Sequence, residues 1–543
     1  MLCRRTERVL IERLVNKMDR RTFLAAGAVS TAAALLPKNF ATFADELSSS
    51  TAQKFTTDNA DLQSAYDGAL KCLRENSVRV FRFPDPVLIE GSVYRGVWLE
   101  CAPLEGLVYS LFDGPTGIAN HEIFFDLQRE DGYLPCSVKA DTIGTGQIQM
   151  VVPIASTALE IFERFGESQF LESAYKACTA WDAWLMRYRN TRGTGLCEGF
   201  CEYDTGHDNS PRWTSVPKQC PDHDARIMPP VAGLPRLCPD LSATVYGGRV
   251  ALAKMAKILG KKSDIDRWES SAHAIQKLIL EKLYVEDDAC FYDLDSENKF
   301  IRVRGDLLTR VLGEHVVGQK MFERIYEKQI HNPKAFWAPY PLPSIAMDDV
   351  TFVRPIPRNS WGGATQALTA LRAPRWLEFY GKPADLAHMM RQWVKAILAA
   401  GGGLRQQMDP LTGEFSMADP SGYSPAALVL LDYTWRLHGV RQVGDTIEWN
   451  CRAPEKSART EATIQTKRGM AVLTHTAKES VLSMAGKIVL RVSSTTRVVT
   501  DADGKVLRVV GVEEENAIVV LRWPNGKSKT IMVARNATVP VVD

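Results

Sequence analysis

The run Glu202-Tyr203-Asp204-Thr205-Gly206-His207-Asp208-Asn209-Ser210-Pro211-Arg212-Trp213 concentrates proton donors and acceptors around a glycine that permits a sharp bend, and it ends in an indole. Carboxylates in such a setting can do acid–base work. Cleaving a glycosidic bond, for example, needs one protonated carboxyl beside the departing oxygen and a second carboxylate across the ring to activate water. Asp208, flanked by His207 and Asn209, is the candidate acid. The same composition also suits a hydrogen-bonded surface turn, and composition alone leaves both readings open.

Elements that could present such a loop surround it. From about residue 58 to 440, the segments Ile154–Phe165, Phe170–Arg187, Ser242–Leu259, Ile265–Leu283, Gly363–Tyr380 and Leu386–Leu398 place apolar residues three and four apart. Each is predicted to be a helix with one buried face. Helices recur in pairs, and each pair leads into a loop rich in Trp, Gly, Pro and Asp. Paired helices around a common axis gather such loops at one end, where separate stretches can assemble a site. Trp98, Trp213, Trp337 and Trp361 fall in loops or at helix entries, where indole faces suit sugar rings, whereas Trp181, Trp184 and Trp376 follow helical periodicity and are read as core. Arg212 and Gln366 are candidates to hydrogen-bond substrate hydroxyls or a carboxylate.

Gly206-His207-Asp208-Asn209-Ser210-Pro211 resembles the Gly-x-Asp-Asn-Ser-Pro loop of glycoside hydrolase family 63 and the similar mannosylglycerate and glucosylglycerate hydrolases. Further stretches agree in order: Gly132-Tyr133-Leu134-Pro135, Asp240-Leu241-Ser242-Ala243, Tyr340-Pro341-Leu342-Pro343-Ser344, Asn359-Ser360-Trp361-Gly362-Gly363, Met408-Asp409-Pro410-Leu411-Thr412-Gly413-Glu414 and Gly422-Tyr423-Ser424-Pro425. The resemblance spans roughly residues 95–440. It implies a mainly α fold, the (α/α)6 toroid of six-hairpin glycosidases, and hydrolysis with inversion in which Asp208 is the general acid. Around that acid the candidate substrate-binding residues are Trp98, His207, Asn209, Arg212, Trp213, Trp361, Gln366 and Gln406.

One position departs from the family pattern. The general base of those enzymes is a Glu three residues before the Asp-Pro-x-Thr-Gly stretch, and this chain has Gln406 there. An amide cannot take a proton from water. Glu100 and Glu105, where the family begins its first hairpin, are the replacement candidates, with sugar binding as their other reading. Asp409 and Glu414 fit the local turn and are read as shaping it. The missing base leaves three competing functions: a phosphorylase, in which phosphate attacks directly; a uronate-active hydrolase or lyase on the same barrel; and a glycan-binding protein without turnover.

The remaining sequence bounds these readings. Residues 1–44 carry eight Lys/Arg against three Asp/Glu, so the overall +2 hides a near-neutral body of about −3. That balance offers no basic face for nucleic acid, and no long apolar run predicts a membrane span in the mature chain. The expected partner is a carbohydrate. Asp19-Arg20-Arg21-Thr22-Phe23-Leu24, followed by an Ala/Gly-rich stretch, looks like a twin-arginine export signal with cleavage before Asp45, which predicts a periplasmic or secreted enzyme; Met18 is a candidate start, with residues 1–17 an extension. Cys197, Cys201, Cys220 and Cys238 cluster without the tight paired spacing of structural zinc, leaving free thiols or a loop disulfide as readings. No Walker loop, dinucleotide fingerprint, HExxH, nucleophile elbow or calcium-loop spacing occurs, so no metal or cofactor is expected. After Gly439 short β-branched runs and the Asp503-Gly504 and Asn525-Gly526 turns predict a small β-sandwich. The expected division is 1–44 signal, 45–440 catalytic barrel and 441–543 β-domain.

Overall fold

The structure, a computed structural model, describes residues 53–416, 418–452 and 459–542. The twin-arginine stretch and its cleavage site lie outside the described residues. Helices dominate to His438, and the remainder of the chain is rich in sheet.

Twelve α-helices are described: α1 Ala60–Asn76, α2 Ala102–Tyr109, α3 Gly114–Asp126, α4 Ile154–Phe165, α5 Ser168–Tyr188, α6 Pro239–Ile258, α7 Lys262–Lys282, α8 Leu307–Gly313, α9 Gln319–Ile325, α10 Ala367–Leu377, α11 Pro383–Ala399 and α12 Ser424–His438. Local chemistry sets their ends. Asn59 and Asp113 accept the backbone N–H of Leu62 and Thr116 at the starts of α1 and α3, and α4 stops at Gly166, whose φ of 72° fits a left-handed C-terminal cap. The even-numbered helices touch in the order α2, α4, α6, α8, α10, α12, and α12 touches α2 again. Five others pack on them, α1 on α12, α3 on α2, α5 on α4 and α6, α7 on α6 and α11 on α12. Burial follows that division, because α12 is buried at every position from Ser424 to Trp435, whereas α7 buries only Trp268, Ala272, Ile275 and Ile279.

Sequence-read helices agree with this within a few residues. The short, almost wholly buried α2 and α8 had no amphipathic stripe to reveal them.

The carboxy-terminal strands are β2 Val440–Val443, β3 Thr446–Cys451, β4 Thr460–Thr466, β5 Gly469–His475, β6 Ser480–Met484, β7 Lys487–Val492, β8 Thr496–Asp501, β9 Val506–Val510, β10 Ala517–Arg522, β11 Ser528–Val533 and β12 Thr538–Pro540. One five-stranded antiparallel sheet has the order β2-β3-β8-β9-β12. A seven-stranded one has β4-β5-β6-β7-β10-β11 and, on its edge, β1, Lys54–Thr57, which pairs Phe55 with Ala462. The Asn525-Gly526 turn closes the β10–β11 hairpin, with Gly526 at φ 85°. Recruitment of β1 from ahead of α1 was not legible, because its Lys-Phe-Thr-Thr alternation is too short to read. Glu378, just after α10, accepts from Arg436 of α12 and Arg497 of β8, which fastens sheet to helices.

The segments that lead into the even-numbered helices carry nearly all the chemistry considered below. Hydrogen bonds join them in space: Ile148 N–H to Asp204, Ser424 N–H to the Glu90 carbonyl, and Trp361 N–H to the Asp208 carbonyl.

Candidate active site

Asp208 sits in a loop with little freedom. Asp204 fixes its base: its carboxylate accepts two bonds from the buried Arg189 guanidinium, at 2.5 and 3.2 Å, and further bonds from the N–H groups of Ile148, Phe200 and Cys201. Glu202 accepts the Asn209 N–H at 2.6 Å, which pins the residue after Asp208 at a left-handed φ of 57°. Ser210 and Pro211 then start a short 3-10 turn.

Beneath this loop lies a charge network excluded from water. Arg212 is bidentate to Asp240, with both bonds at 2.7 Å, and to Asp293, at 2.6 and 2.7 Å, and it also donates to His207 Nδ1 at 3.0 Å. His207 Nε2 faces Asp306 at 3.2 Å, and Asp306 also accepts from Arg310 and Arg372. Three guanidiniums thus balance three carboxylates. Burial, with Arg310 and Arg212 nearby, pushes His207 down to about 3, so the imidazole is neutral. With Arg212 donating to Nδ1, its proton sits on Nε2 and is given to Asp306.

Asp208 itself is half-buried. Its Oδ2 accepts from Asn359 Nδ2 at 2.9 Å. Asn359 Oδ1 in turn accepts from Gln406 Nε2 at 2.9 Å, and Gln406 Oε1 lies 3.1 Å from the Tyr94 hydroxyl. Gln406 is placed by a two-residue ladder in which Thr365–Gln366 pairs with Gln407–Met408.

Glu100 follows a short strand, Gly96–Trp98, paired with Ser137–Lys139, and precedes α2. Its Oε2 is buried, lacks a hydrogen-bond partner, and rests against Gly206 so closely that a Cβ there would overlap it. Gly206 also has φ 62°. Gly206→Ala is therefore expected to displace Glu100 and lower kcat by at least about tenfold with a smaller change in KM, measured by steady-state kinetics.

Glu90 and Glu105 complete a carboxyl cluster. Glu90 accepts from the Tyr423 hydroxyl at 2.6 Å, and one ligand oxygen each of Glu90 and Glu100 lies with Cys101 Sγ inside a 4.8 Å group. Burial raises all four acids, helped at Asp208 by repulsion from Glu202 and at the three glutamates by repulsion within the cluster: Asp208 to about 6, Glu100 to about 7, Glu105 to about 8, and Glu90 well above the carboxylate range. Desolvation is the largest cause in each.

Several expected substrate contacts are corrected by burial. Trp213 is 1% exposed, donates its indole N–H to Thr205 Oγ1, and lies between the guanidiniums of Arg212 and Arg236, so neither face is open to a sugar. The hydrogen-bonding capacity of Arg212 is taken by two aspartates and an imidazole, and that of His207 by Arg212 and Asp306. Gln366 is spent on the Ser360 carbonyl and Gln407 Oε1. Trp361, 3% exposed, packs on His207 and clusters with Cys101, Leu368 and Trp98. Trp337 lies away from the acids, between His331 and His388. Glu105, 0% exposed, is too deep to meet a substrate directly. Trp98, half-buried and edge-on to Tyr94, and the exposed Asn209 remain beside Asp208. Asp409 accepts from the N–H groups of Leu411 and Thr412 and from Arg354, as a loop-shaping residue should.

All ten described cysteines are free; Cys201 and Cys220 approach to 3.8 Å, and the Asp204 beside them is committed to Arg189. Sequence reasoning missed Tyr94, Glu90 and Asn359 as site residues. Asn359 stood inside a quoted motif, but Tyr94 and Glu90 carry no local signal.

A family model described as "Mannosylglycerate hydrolase MGH1-like glycoside hydrolase domain" matches residues 110–435. Among solved structures, the GH63 mannosylglycerate hydrolase from Thermus thermophilus in complex with Tris is 18% identical over 68% of this chain and 100% of that one, with TM-score 0.57. Neutral trehalase from Saccharomyces cerevisiae is 14% identical over 64% and 73%, with TM-score 0.50. A structure described as a sialidase is 15% identical over 89% of this chain and 44% of its own, with TM-score 0.64. At these identities the likeness concerns the fold. No curated protein sequence matches the chain.

Proposed function

The chain belongs to the mannosylglycerate hydrolase MGH1-like glycoside hydrolase family, and from that premise we propose that it cleaves an α-glycosidic bond of a short oligosaccharide or glycoside with inversion. The observation that carries this reading is Glu100 Oε2 packed against Gly206, two residues from Asp208, with burial raising both carboxyls. Asp208 gives its proton to the leaving oxygen. Glu100 takes one from water, in place of the glutamate absent at position 406. The ring of helix contacts from α2 to α12 and back supports an (α/α)6 toroid, and the five- and seven-stranded sheets support a β-sandwich beside it. The twin-arginine stretch supports export of the folded enzyme to the periplasm or beyond.

Gln406 also suits phosphorolysis, since an attacking phosphate needs no carboxylate base. An ionised Asp208 or Glu100 would repel that anion, and a uronate likewise, which favours water and a neutral sugar.

The test is a panel of α- and β-linked disaccharides and glyceryl glycosides, with and without phosphate, followed by proton NMR of the first-formed anomer. Phosphate-independent release of the β-anomer from an α-linked substrate is expected; retention of configuration or a phosphate requirement would sink the proposal. The pH profile adds a second check. With Asp208 near about 6 and Glu100 near about 7, the form that has Asp208 protonated and Glu100 ionised is the minor singly protonated one, and kcat/KM should be bell-shaped with limbs near about 6 and about 7. Below the lower limb both are protonated and the base is lost; above the upper both are ionised and the acid is lost. Glu100→Gln should abolish the lower limb along with most of the rate.

A further inference from the structure

We propose that Gln406 is a positioning residue for the acid: through Asn359 it orients Asp208, because its amide accepts from Tyr94 and donates to Asn359 at every pH, whereas a glutamate could do both only while protonated. The inference rests on Asp208 being the general acid.

With Asp208 ionised, an acceptor at the end of the relay sets the direction of its hydrogen bonds. Tyr94 O–H donates to Gln406 Oε1, Gln406 Nε2 donates to Asn359 Oδ1, and Asn359 Nδ2 donates to Asp208 Oδ2. Because Asn359 presents its N–H2 end to Oδ2, that oxygen is engaged as an acceptor. The proton of the acid form is left for Oδ1, the oxygen free to face a leaving group. Asn209 Nδ2 holds the Asn359 carbonyl at 2.8 Å and Gln407 Oε1 accepts the Ser360 N–H, so the backbone on both sides of the relay is tethered.

A glutamate at 406 would break the sequence at its middle step. Its carboxylate has no proton to offer Asn359 Oδ1, so Asn359 would turn its N–H2 toward the new charge and present Oδ1 to Asp208. The acid then loses its donor and faces an acceptor. The family's base position thus carries a different duty in this chain, which accounts for Gln406 as a positive requirement instead of a lost function.

Other titratable and polar groups also face Asp208. These are Glu202, Lys218 and Tyr203 on its own loop, Glu90, Glu100 and Tyr94 from the segment before α2, and Asn359 from the segment before α10. None is altered by a change at 406.

The experiment is the pH dependence of kcat and KM for Gln406→Glu, with Tyr94→Phe as a milder break of the same relay. Gln406→Glu is expected to lower kcat by about tenfold with little change in KM, and to move the acid limb, set by Asp208 near about 6, upward by about one pH unit. The upward sign follows because Asp208 loses a donor to its anion and gains a negative neighbour. Tyr94→Phe, which keeps the ring, should give a smaller movement of the same sign. A higher kcat in Gln406→Glu would mean that the family base had been restored, and it would overturn the proposal. So would an acid limb that stays in place in both variants. Failure of the underlying assignment reads differently: it appears as turnover retained in Asp208→Asn, whatever the variants at 406 do.

Discussion

Asp208→Asn is expected to lower kcat/KM by about a thousandfold, the range associated with removing a positioned general acid, while the unfolding midpoint stays close to wild type. The substitution is nearly isosteric, and the new amide oxygen can still accept from Asn359 Nδ2. Asp208 takes no part in the buried ion pairs that secure the loop, which run through Asp204, Asp240, Asp293 and Asp306. Loss of rate therefore reports chemistry and not collapse. A substrate with an activated leaving group, such as a nitrophenyl glycoside, needs little protonation at its oxygen and should recover much of the rate in this variant. If an unactivated glycoside is turned over at near wild-type rate, Asp208 is not the acid, and the pairing with Glu100 loses its meaning. Thermal melts by circular dichroism check that the comparison is made between folded proteins.

The sequence disclosed the carriers of this chemistry more readily than the structure that holds them. Asp208 was legible because a loop of fixed composition announces itself over a few consecutive residues. Long surface-facing helices such as α5 and α7 were legible because one buried stripe repeats every three to four residues. Three of the inner helices lack that contrast. α2, α8 and α12 are buried on nearly every face, and a uniformly apolar stretch has no period to read. Long-range pairings leave no trace at all: Tyr94 reaches Gln406 across 312 residues, and Asn359 reaches Asp208 across 151. Burial decided the errors. Arg212 and Trp213 are types that often touch sugars, and adjacency to Asp208 made them natural candidates. Yet a guanidinium able to satisfy two aspartates at once is worth more beneath the loop than in it.

That buried network gives the largest expected effect on stability. Arg212→Met removes five donors and leaves the carboxylates of Asp240 and Asp293, both 1% exposed, with most of their compensation gone. Breaking one side of a buried ion pair costs about 3–5 kcal/mol, so a loss of at least that size is expected at neutral pH, read as a lower midpoint in urea. Arg212→Lys keeps the charge but cannot place parallel bonds on two carboxylates, and should recover only part of the loss. The pH dependence identifies the cause. In the wild type Arg212 and burial act oppositely on Asp240, and Arg212 prevails, holding its carboxyl down to about 2. Its folded pKa is below the unfolded one, so it contributes stability above the unfolded value that is lost only as pH falls through about 2. Without Arg212, desolvation is the dominant influence and the folded pKa moves up, toward or above the unfolded value. The variant then takes up a proton on folding, and its deficit relative to wild type should shrink as pH is lowered from 7 toward about 4. A deficit that is constant over that interval would mean that Arg212 stabilises through packing against Trp213 and not through its charge.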